Sequence, residues 1–230
     1  MIHSINAYGD SAILVNFEQK INRTIHREVM ALYHTMTSVP GIRYMIPAYC
    51  SLTIVFDTQE TSIDALKESI ESWETHVDLK TIRSTNTKSK QHIIPVCYDA
   101  EMAPDLEEVS NQTGKTIEEI INAHTTTEFY VYMVGFMPGF AYMGDMPAEY
   151  YCNRKSQPRT RVPQGSVGLS GLQTGIYPFD TPGGWQIIGR APMTLFDTTR
   201  VPPALLAMGD SIRFSRVSTS EYMQMLQRDV

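Results

Sequence analysis

The sequence predicts an α+β protein of two domains, a ferredoxin-like domain at 1–84 and a β-rich domain at 92–230. Up to residue 84, strand and helix patterns alternate in the order β-α-β-β-α-β, which is the split βαβ arrangement of ferredoxin-like domains. The stretch 85–91 is polar, has no large apolar residue and is typical of a linker. Beyond it, short β-rich segments separated by Gly and Pro favour a barrel or sandwich.

Each element of the first domain follows from the pattern of its apolar residues. Strands are expected at 11–17, 43–49, 51–57 and, more weakly, 78–84. The first helix begins after the N-cap Asn22 and carries an apolar face of Ile25, Val29, Leu32 and Met36. The second helix begins at Thr61 or Ser62 and carries an apolar face of Ile63, Leu66, Ile70 and Trp73.

The second domain begins with a strand at 92–99 and continues with two short helices. The first helix runs from about Pro104 to Gly114, and the second begins at Thr116, which forms a T-x-x-E capping box with Glu119. A terminal helix is expected at 220–227, after strands in the segments FYVYMVGF, SVGLS, GIYPF, WQIIGR and SIRFSRV.

Composition excludes several classes of protein. The 230 residues are 42% apolar and 19% charged, which suffices for a buried core. The net charge of −6 argues against nucleic-acid binding, which calls for a basic surface. No apolar run approaches the ~20 residues of a membrane helix, and the N-terminus has no signal-peptide pattern. We therefore expect a cytoplasmic protein without a membrane partner, and its three separated cysteines predict no disulfide framework.

Ten of the fourteen glycines lie between Gly135 and Gly189, which makes this segment the best candidate for loops around a site. Three aromatic residues near its start could form the apolar wall of a pocket: Phe136, Phe140 and Tyr142. Gly139 would let a ligand approach the backbone. A tight corner that places aromatic rings in the core explains the same residues equally well.

A basic run at 153–161 lies in a stretch without acidic residues. Two prolines stiffen the backbone around Arg159 and Arg161, and arginine on rigid backbone suits bidentate binding of a carboxylate or phosphate. We expect Arg159 or Arg161 to bind an anion, and Arg154 and Lys155 to lie at the surface. The simpler alternative for the whole run is a solvated basic face.

Neutral hydrogen-bonding residues and a glycine pair follow. Gln173 and Tyr177 would suit an amide substrate. The run TPGGWQIIGRAP then places permissive backbone before strand residues and a permanent cation: Gly183, Gly184, Trp185 and Arg190. This run is either a tight turn that enters a core strand or part of the floor of a pocket for a small anion.

His124 lies on the apolar face of the second helix of this domain, together with Ile120 and Ile121. It is either a hydrogen-bonded core histidine or a general acid/base held in a dry wall. No histidine has metal-ligand spacing, so no metal is expected. The GKT at 114–116 lacks the first glycine of a phosphate loop, whose position is Val109, and a helix end followed by a cap explains it.

The motifs together resemble the 5-oxoprolinase B-subunit family of carboxyltransferase-domain proteins. That family includes Kip-type sporulation-kinase inhibitors and allophanate hydrolase subunit 1. The matching stretches run in the family's order from residue 9 to 214: GDSAILV, IPVCYD, GFMPGFAYMGDMP, PRTRVPQGSVGL, GLQTGIYPFDTPGGWQIIGRAP and GDSIRF. The chain departs from the family pattern at Asn153, where proline is expected, and at Ala191, where threonine is expected.

The resemblance implies a cyclophilin-like β-barrel after the ferredoxin-like domain. It also implies two partners, a 5-oxoprolinase C subunit with a related barrel and an A subunit. Such complexes hydrolyse the lactam 5-oxoproline to glutamate at the expense of ATP, which would bind at an interface between subunits or on a partner. We then expect His124, Arg161 and Arg190 to be catalytic. The expected substrate-binding residues are Phe136, Gly139, Phe140, Tyr142, Arg159, Gln173, Tyr177, Gly183, Gly184 and Trp185.

Two other functions stay open on the sequence. The Kip-type members imply an inhibitor that binds a histidine kinase. The allophanate hydrolase members imply a component of urea-carboxylating or allophanate-hydrolysing machinery that acts on another small amide. Peptidyl-prolyl isomerase activity is suggested only by the type of barrel, and a fold alone does not give a function.

Overall fold

The computed structural model describes residues 1–78 and 89–228, and its contacts cluster into two units, Met1–Thr87 and Lys88–Val230. The α+β class with a closed β-barrel is confirmed. The weak strand expected at 78–84 lies outside the described residues except for its first residue. The expected linker at 85–91 lies mostly outside them as well, so both stay predictions.

Within residues 1–78, the first unit forms a four-stranded antiparallel sheet with two helices. Its elements are β1 (Ile2–Ala7), β2 (Ala12–Phe17), α1 (Arg23–Met36), β3 (Ile42–Pro47), β4 (Ser51–Phe56) and α2 (Ile63–His76). The strand order is β1-β2-β4-β3. The sequence did not predict β1. This strand lies at the edge of the sheet beside β2, and in a ferredoxin-like sheet the last strand occupies that position. Its half-exposed residues give little hydrophobic signal, because an edge strand pairs on one side only.

The helices of this unit begin at side-chain caps and bury the predicted faces. Asn22 Oδ1 accepts a hydrogen bond from the Thr24 backbone N–H at 2.8 Å, and Ser62, rather than Thr61, accepts one from Ala65 at 3.2 Å. The helix residues pack against alternate residues of the central strands in one hydrophobic cluster, which includes Ile13, Val15, Phe17, Val29, Leu32, Leu52, Ile54, Leu66 and Ile70.

Over residues 89–228, the second unit forms a closed barrel of seven strands with three α-helices. It contains β5 (Gln91–Cys97), α3 (Leu106–Thr113), α4 (Ile117–Thr126), β6 (Phe129–Val134), β7 (Ala141–Gly144), a 3₁₀ turn (Ala148–Tyr150), β8 (Arg159–Val162), β9 (Ser166–Ser170), β10 (Gln173–Ile176), β11 (Thr181–Gly183), β12 (Gln186–Arg190), β13 (Ser211–Val217) and α5 (Thr219–Arg228). The barrel order is β10-β7-β6-β13-β5-β12-β9, and β8 pairs with β11 in a separate ribbon.

The helix boundaries around the GKT tripeptide are those of a cap pair. Gly114 ends α3 in the left-handed conformation at φ 68°, and Thr116 forms a reciprocal capping box with Glu119 at the start of α4. The strands that the sequence did not predict, β7, β8 and β11, have only three or four residues. Their pairing partners, rather than their own patterns, make them strands.

None of the helices in the described ranges is long and apolar enough to cross a membrane. In the same ranges, no three His, Cys, Asp or Glu side chains are grouped as a metal ion requires.

Close packing between β12 and β5 depends on Gly189. A Cβ at this position would lie 2.6 Å from Val96 Cγ1 and 3.0 Å from the Cys97 carbonyl oxygen, so backbone would have to move. We expect Gly189→Ala to lower the free energy of unfolding by about 1–3 kcal/mol in urea titrations. The control is Gly135→Ala, whose Cβ meets nothing closer than 3.8 Å. Equal stability of the two variants would contradict this packing.

Candidate functional site

A cavity of about 390 Å³ in the second unit brings together most of the predicted substrate-binding residues. Its volume lies in the range of small-molecule sites. Eight of its ten lining residues were predicted: Phe136, Phe140, Tyr142, Gln173, Tyr177, Gly183, Gly184 and Trp185. The other two, Arg154 and Ser170, were not, although Arg154 is exposed as the sequence predicted. We call this cavity the Arg154 pocket.

The apolar wall of the pocket is a set of edge-to-face aromatic rings around Phe140. The Phe140 ring centroid lies 4.8 Å from that of Tyr142, 5.2 Å from that of Tyr177 and 5.6 Å from that of Trp185. Edge-to-face pairs hold rings in fixed orientations. Phe136 lies at the rim, 68% exposed, with an unusual positive φ of 70°. The wall is therefore rigid, and one ring faces solvent.

The glycine pair at 183–184 shapes the floor by leaving space. A Cβ at Gly183 would lie 2.5 Å from Tyr177 Oη, so only glycine leaves room for that hydroxyl. A Cβ at Gly184 would lie 3.5 Å from Pro158 Cγ and 3.7 Å from Arg154 Nε. The TPGGWQ run therefore lies at the floor of a pocket, as one of the two interpretations predicted. The cation beside it is Arg154, whereas Arg190 was expected.

Arg154 is the cation of the pocket. Burial raises the pKa of the Tyr142 and Tyr177 phenols, and the positive charge of Arg154 opposes both shifts. Among the described residues, no carboxylate pairs with Arg154. A guanidinium that lacks an acidic partner beside apolar rings is suited to an anionic ligand.

The backbone around Arg154 is fixed on both sides. Cys152 forms a β-bridge with Gly171, and the Lys155 N–H donates to the Gly184 carbonyl at 2.8 Å. The Asn153 N–H donates to Gln112 Oε1 of α3 at 2.7 Å. These bonds hold the segment against the floor of the pocket.

Asp105, immediately before α3, connects this segment to the barrel. Its Oδ1 accepts hydrogen bonds from Arg159 Nη2 at 2.6 Å and Lys155 Nζ at 3.1 Å, and its Oδ2 accepts one from the Ile187 N–H at 2.6 Å. The side chain is 97% buried. Desolvation acts to raise the pKa of Asp105, but the bonds from Arg159, Ile187 and Lys155 outweigh it and hold the pKa below its ordinary value.

Arg159 and Arg161 do not line the pocket, contrary to expectation. Arg159 pairs with buried Asp105, so its charge is compensated inside the protein. The Arg161 side chain is 76% exposed and donates to Asp180 Oδ2 through Nε at 2.8 Å and Nη2 at 2.6 Å. The carboxylates that pair with them precede or follow the basic run in sequence, and the run alone gives no sign of them.

Arg190 and Gly139 also lie elsewhere. Arg190 lines a different cavity and donates from Nε to the Gln164 carbonyl at 2.9 Å. Gly139, at φ 81°, packs against Phe196, whose Cβ would lie 2.7 Å from a Cβ at this position. A close contact within the protein, rather than the approach of a ligand, explains this glycine.

His124 is a core histidine, and the expected proton-transfer role is not supported by its position. It is fully buried and does not line the Arg154 pocket. Its Nδ1 lies 2.7 Å from Tyr98 Oη and its Nε2 lies 2.9 Å from Thr174 Oγ1, which donates to the Gly168 carbonyl. This chain of bonds assigns a neutral ring that donates from Nε2 and accepts at Nδ1. Burial lowers its pKa to about 3.

Comparison with known proteins agrees with the resemblance. Residues 3–206 match the family model of the carboxyltransferase domain, subdomain C and D. The chain is 39% identical to the 5-oxoprolinase B subunit of Bacillus subtilis (strain 168), over 96% of this chain and 95% of that protein. It is 34% identical to the 5-oxoprolinase B subunit of Escherichia coli O157:H7, over 90% of this chain and 92% of that protein.

The chain belongs to the 5-oxoprolinase B-subunit family. Solved structures show the same fold. The crystal structure of TTHA0988 matches with a TM-score of 0.77 and 29% identity over 90% of this chain, which spans about 40% of that protein. The urea amidolyase of K. lactis matches with a TM-score of 0.80 over 97% of this chain and 15% of that protein. Its identity is 21%, so that likeness concerns the fold alone. The relatives are named as one subunit of 5-oxoprolinase, which implies partner subunits for this family.

The sequence missed Arg154 and Ser170 for different reasons. Arg154 belongs to a run of four similar cations, and only the positions of their carboxylate partners distinguish them. The family pattern directed attention away from Arg154, because Asn153 departs from it. Ser170 is one of many serines in the sequence. It lies opposite Gln173 only because β9 pairs with β10 in the antiparallel register that the structure shows.

We expect Asp105→Asn to lower the free energy of unfolding by about 3 kcal/mol at pH 7, because two cations lose a buried partner. Since the folded pKa of Asp105 is lowered, its stabilisation is present above the unfolded pKa and is lost as pH falls through the folded value. The difference from the wild type should therefore shrink towards pH 3 in urea titrations. Glu108→Gln, an exposed partner of Lys155, is the control and should cost less than about 1 kcal/mol. A loss from Asp105→Asn that does not depend on pH would contradict this account.

Buried, neutral His124 predicts acid destabilisation. Its folded pKa of about 3 lies below the ordinary 6.5, so between these values the unfolded chain binds a proton that the folded chain does not. The free energy of unfolding should fall by about 1.4 kcal/mol per pH unit below pH 6.5 from this group. His124→Gln should flatten that slope in denaturation at pH 7, 6 and 5. An unchanged slope would place the titration on another residue.

Proposed function

We propose that the chain is the B subunit of an ATP-dependent 5-oxoprolinase, a hydrolase active only with its partner A and C subunits. The B. subtilis relative of that name is similar over nearly the full length of both chains, which supports a shared role. The observation that carries the proposal in this chain is the Arg154 pocket, with one cation that no described carboxylate neutralises.

The chemistry of the pocket matches a small lactam acid. 5-Oxoproline has a carboxylate, an amide and a compact apolar ring. Arg154 would bind the carboxylate, since a guanidinium donates two parallel hydrogen bonds to it. Gln173 and Ser170 offer neutral donors and acceptors for the lactam N–H and C=O. The rings of Phe140, Tyr177 and Trp185 would cover the ring carbons and exclude water.

The residues of this pocket do not fit ATP. A triphosphate with several negative charges calls for more than one cation or a glycine-rich loop, and the pocket offers Arg154 alone. The GKT tripeptide lies at a helix end rather than in a phosphate loop. We therefore propose that ATP binds to one of the partners, and that this chain holds and orients the lactam.

The alternative of a urea-processing role has weaker support. The urea amidolyase of Lachancea kluyveri is 24% identical over 93% of this chain, and the match spans 13% of that protein. Urea has no carboxylate for Arg154, so the charge of the pocket favours the lactam acid over urea, whereas allophanate has a carboxylate and is not distinguished by that charge. Inhibition of a histidine kinase stays a prediction of the sequence.

We expect Arg154→Gln, assayed in the complex reconstituted with its partner subunits, to raise the KM for 5-oxoproline by about 10- to 100-fold. The reason is the loss of a charge-assisted hydrogen bond of about 1.5–3 kcal/mol. The measurement is ATP-dependent release of glutamate. Arg161→Gln is the matched control, because that exposed arginine pairs with Asp180 outside the pocket.

A second measurement tests the assigned contact. Inhibition by 2-pyrrolidinone, which lacks the carboxylate, should be equal in the wild type and in Arg154→Gln. An unchanged KM for 5-oxoproline in Arg154→Gln would overturn the role of this pocket. Absence of glutamate release from every combination of subunits would overturn the proposed activity itself.

A further inference from the structure

A second cavity of about 370 Å³ lies in the same unit as the Arg154 pocket but shares no lining residue with it. It is bounded by the Gln164–Gly165 turn, by residues 190–194 at the end of β12 and beyond, and by helix α5. We call it the Arg190 cavity. The proposed function makes no use of it.

One end of the Arg190 cavity is polar and positively charged. Arg190 Nε donates to the Gln164 carbonyl at 2.9 Å, and its two Nη atoms have no hydrogen-bond partner among the described residues. Tyr222 lines the cavity and is only 3% exposed, yet its hydroxyl has no hydrogen-bond partner in the described part of the chain. The hydroxyl oxygen is not one of the fully buried atoms that lack a partner, so it reaches the cavity surface and can hydrogen-bond to a ligand there.

The charge of Arg190 acts directly on the Tyr222 phenol. Burial raises the pKa of Tyr222, and the positive charge of Arg190 opposes that shift. Both residues line the cavity, so a single anion bound there could contact the guanidinium and the hydroxyl together. The Asp180 carboxylate also senses Arg190, but it already accepts hydrogen bonds from Arg161 and from the Gln164 N–H.

The rest of the cavity is apolar and adaptable. Met102, Met193, Met223 and Leu226 form its walls, and Met223 and Leu226 remain 48% and 39% exposed. Methionine side chains are unbranched and polarisable, so they adapt to flexible apolar ligands. Met223 and Leu226 thus leave part of the apolar wall accessible to a ligand.

We propose that the Arg190 cavity binds an aliphatic monocarboxylate of medium chain length. The carboxylate accepts hydrogen bonds from the Arg190 Nη groups and the Tyr222 hydroxyl, and the hydrocarbon chain lies along the methionines. This site is independent of lactam binding at Arg154. A ligand bound there would hydrogen-bond to the Tyr222 hydroxyl and cover the exposed apolar wall.

Titration of the full chain, labelled with ¹³C at the methionine methyl groups, tests the site with octanoate as the probe. The signals of Met102, Met193 and Met223 should shift together, while methionines outside the cavity, such as Met36, stay in place. Octan-1-ol, which has no charge, should bind at least about tenfold more weakly, as the loss of a charge-assisted hydrogen bond predicts. Equal binding of the two probes, or no shift of these three signals, would overturn the proposal.

Variants then locate the carboxylate. Arg190→Gln should weaken octanoate about tenfold and leave octanol unchanged, and Tyr222→Phe should weaken octanoate by a smaller factor. Met223→Glu places a carboxylate at a half-exposed position, where it stays hydrated, and should repel octanoate. Arg161→Gln is the control and should bind as the wild type does. Wild-type affinity for octanoate in folded Arg190→Gln or Met223→Glu would contradict the site.

Discussion

The buried carboxylate of Asp105 is the interaction on which the candidate site depends. It joins α3 to β12 through the Ile187 backbone and holds two cations of the 153–161 segment. A carboxylate taken out of water is stable only when its oxygens are fully bonded, and here three donors supply that. Because Lys155 is held, Arg154 beside it is placed at the pocket without an acidic partner of its own. The positive charge of Arg154 is therefore available to a ligand, because no carboxylate among the described residues pairs with it.

Ion pairing distinguishes arginines that are chemically alike. Arg159 balances a buried charge and Arg161 forms an exposed ion pair, so each already has a carboxylate partner, and neither lines the Arg154 pocket. Arg154 and Arg190 have no carboxylate partner among the described residues, and each lines its own cavity. One small barrel therefore carries two positively charged cavities, one with rigid aromatic walls and one with flexible methionine walls. Rigid walls favour a compact ring, and flexible walls favour an extended chain.

Glycines in the barrel act mainly by permitting close approach within the protein. Gly183 leaves room for the Tyr177 hydroxyl, Gly139 for Phe196 and Gly189 for Val96. The high glycine content of 135–189 marks the region of the site correctly, but only one of these three glycines lines the pocket. A glycine required for packing and one required for ligand access have the same signature in a sequence, because both simply lack a Cβ.

The sequence by itself determined the α+β class, the strands with continuous β-forming runs, the helix caps and eight of the ten residues of the Arg154 pocket. These follow from local chemistry, since a cap, an apolar face or an aromatic cluster is defined by near neighbours. Only the tertiary structure decided that β1 forms the sheet edge, that His124 is a satisfied core residue and that Arg154 rather than Arg161 faces the pocket. The last two depend on partners distant in the chain, Tyr98 and Thr174 for the imidazole and Asp105 and Asp180 for the competing cations. The first depends on pairing with the neighbouring strand β2. Electrostatic and hydrogen-bond partners are chosen by the fold, so residue type and spacing alone do not reveal which group stays available.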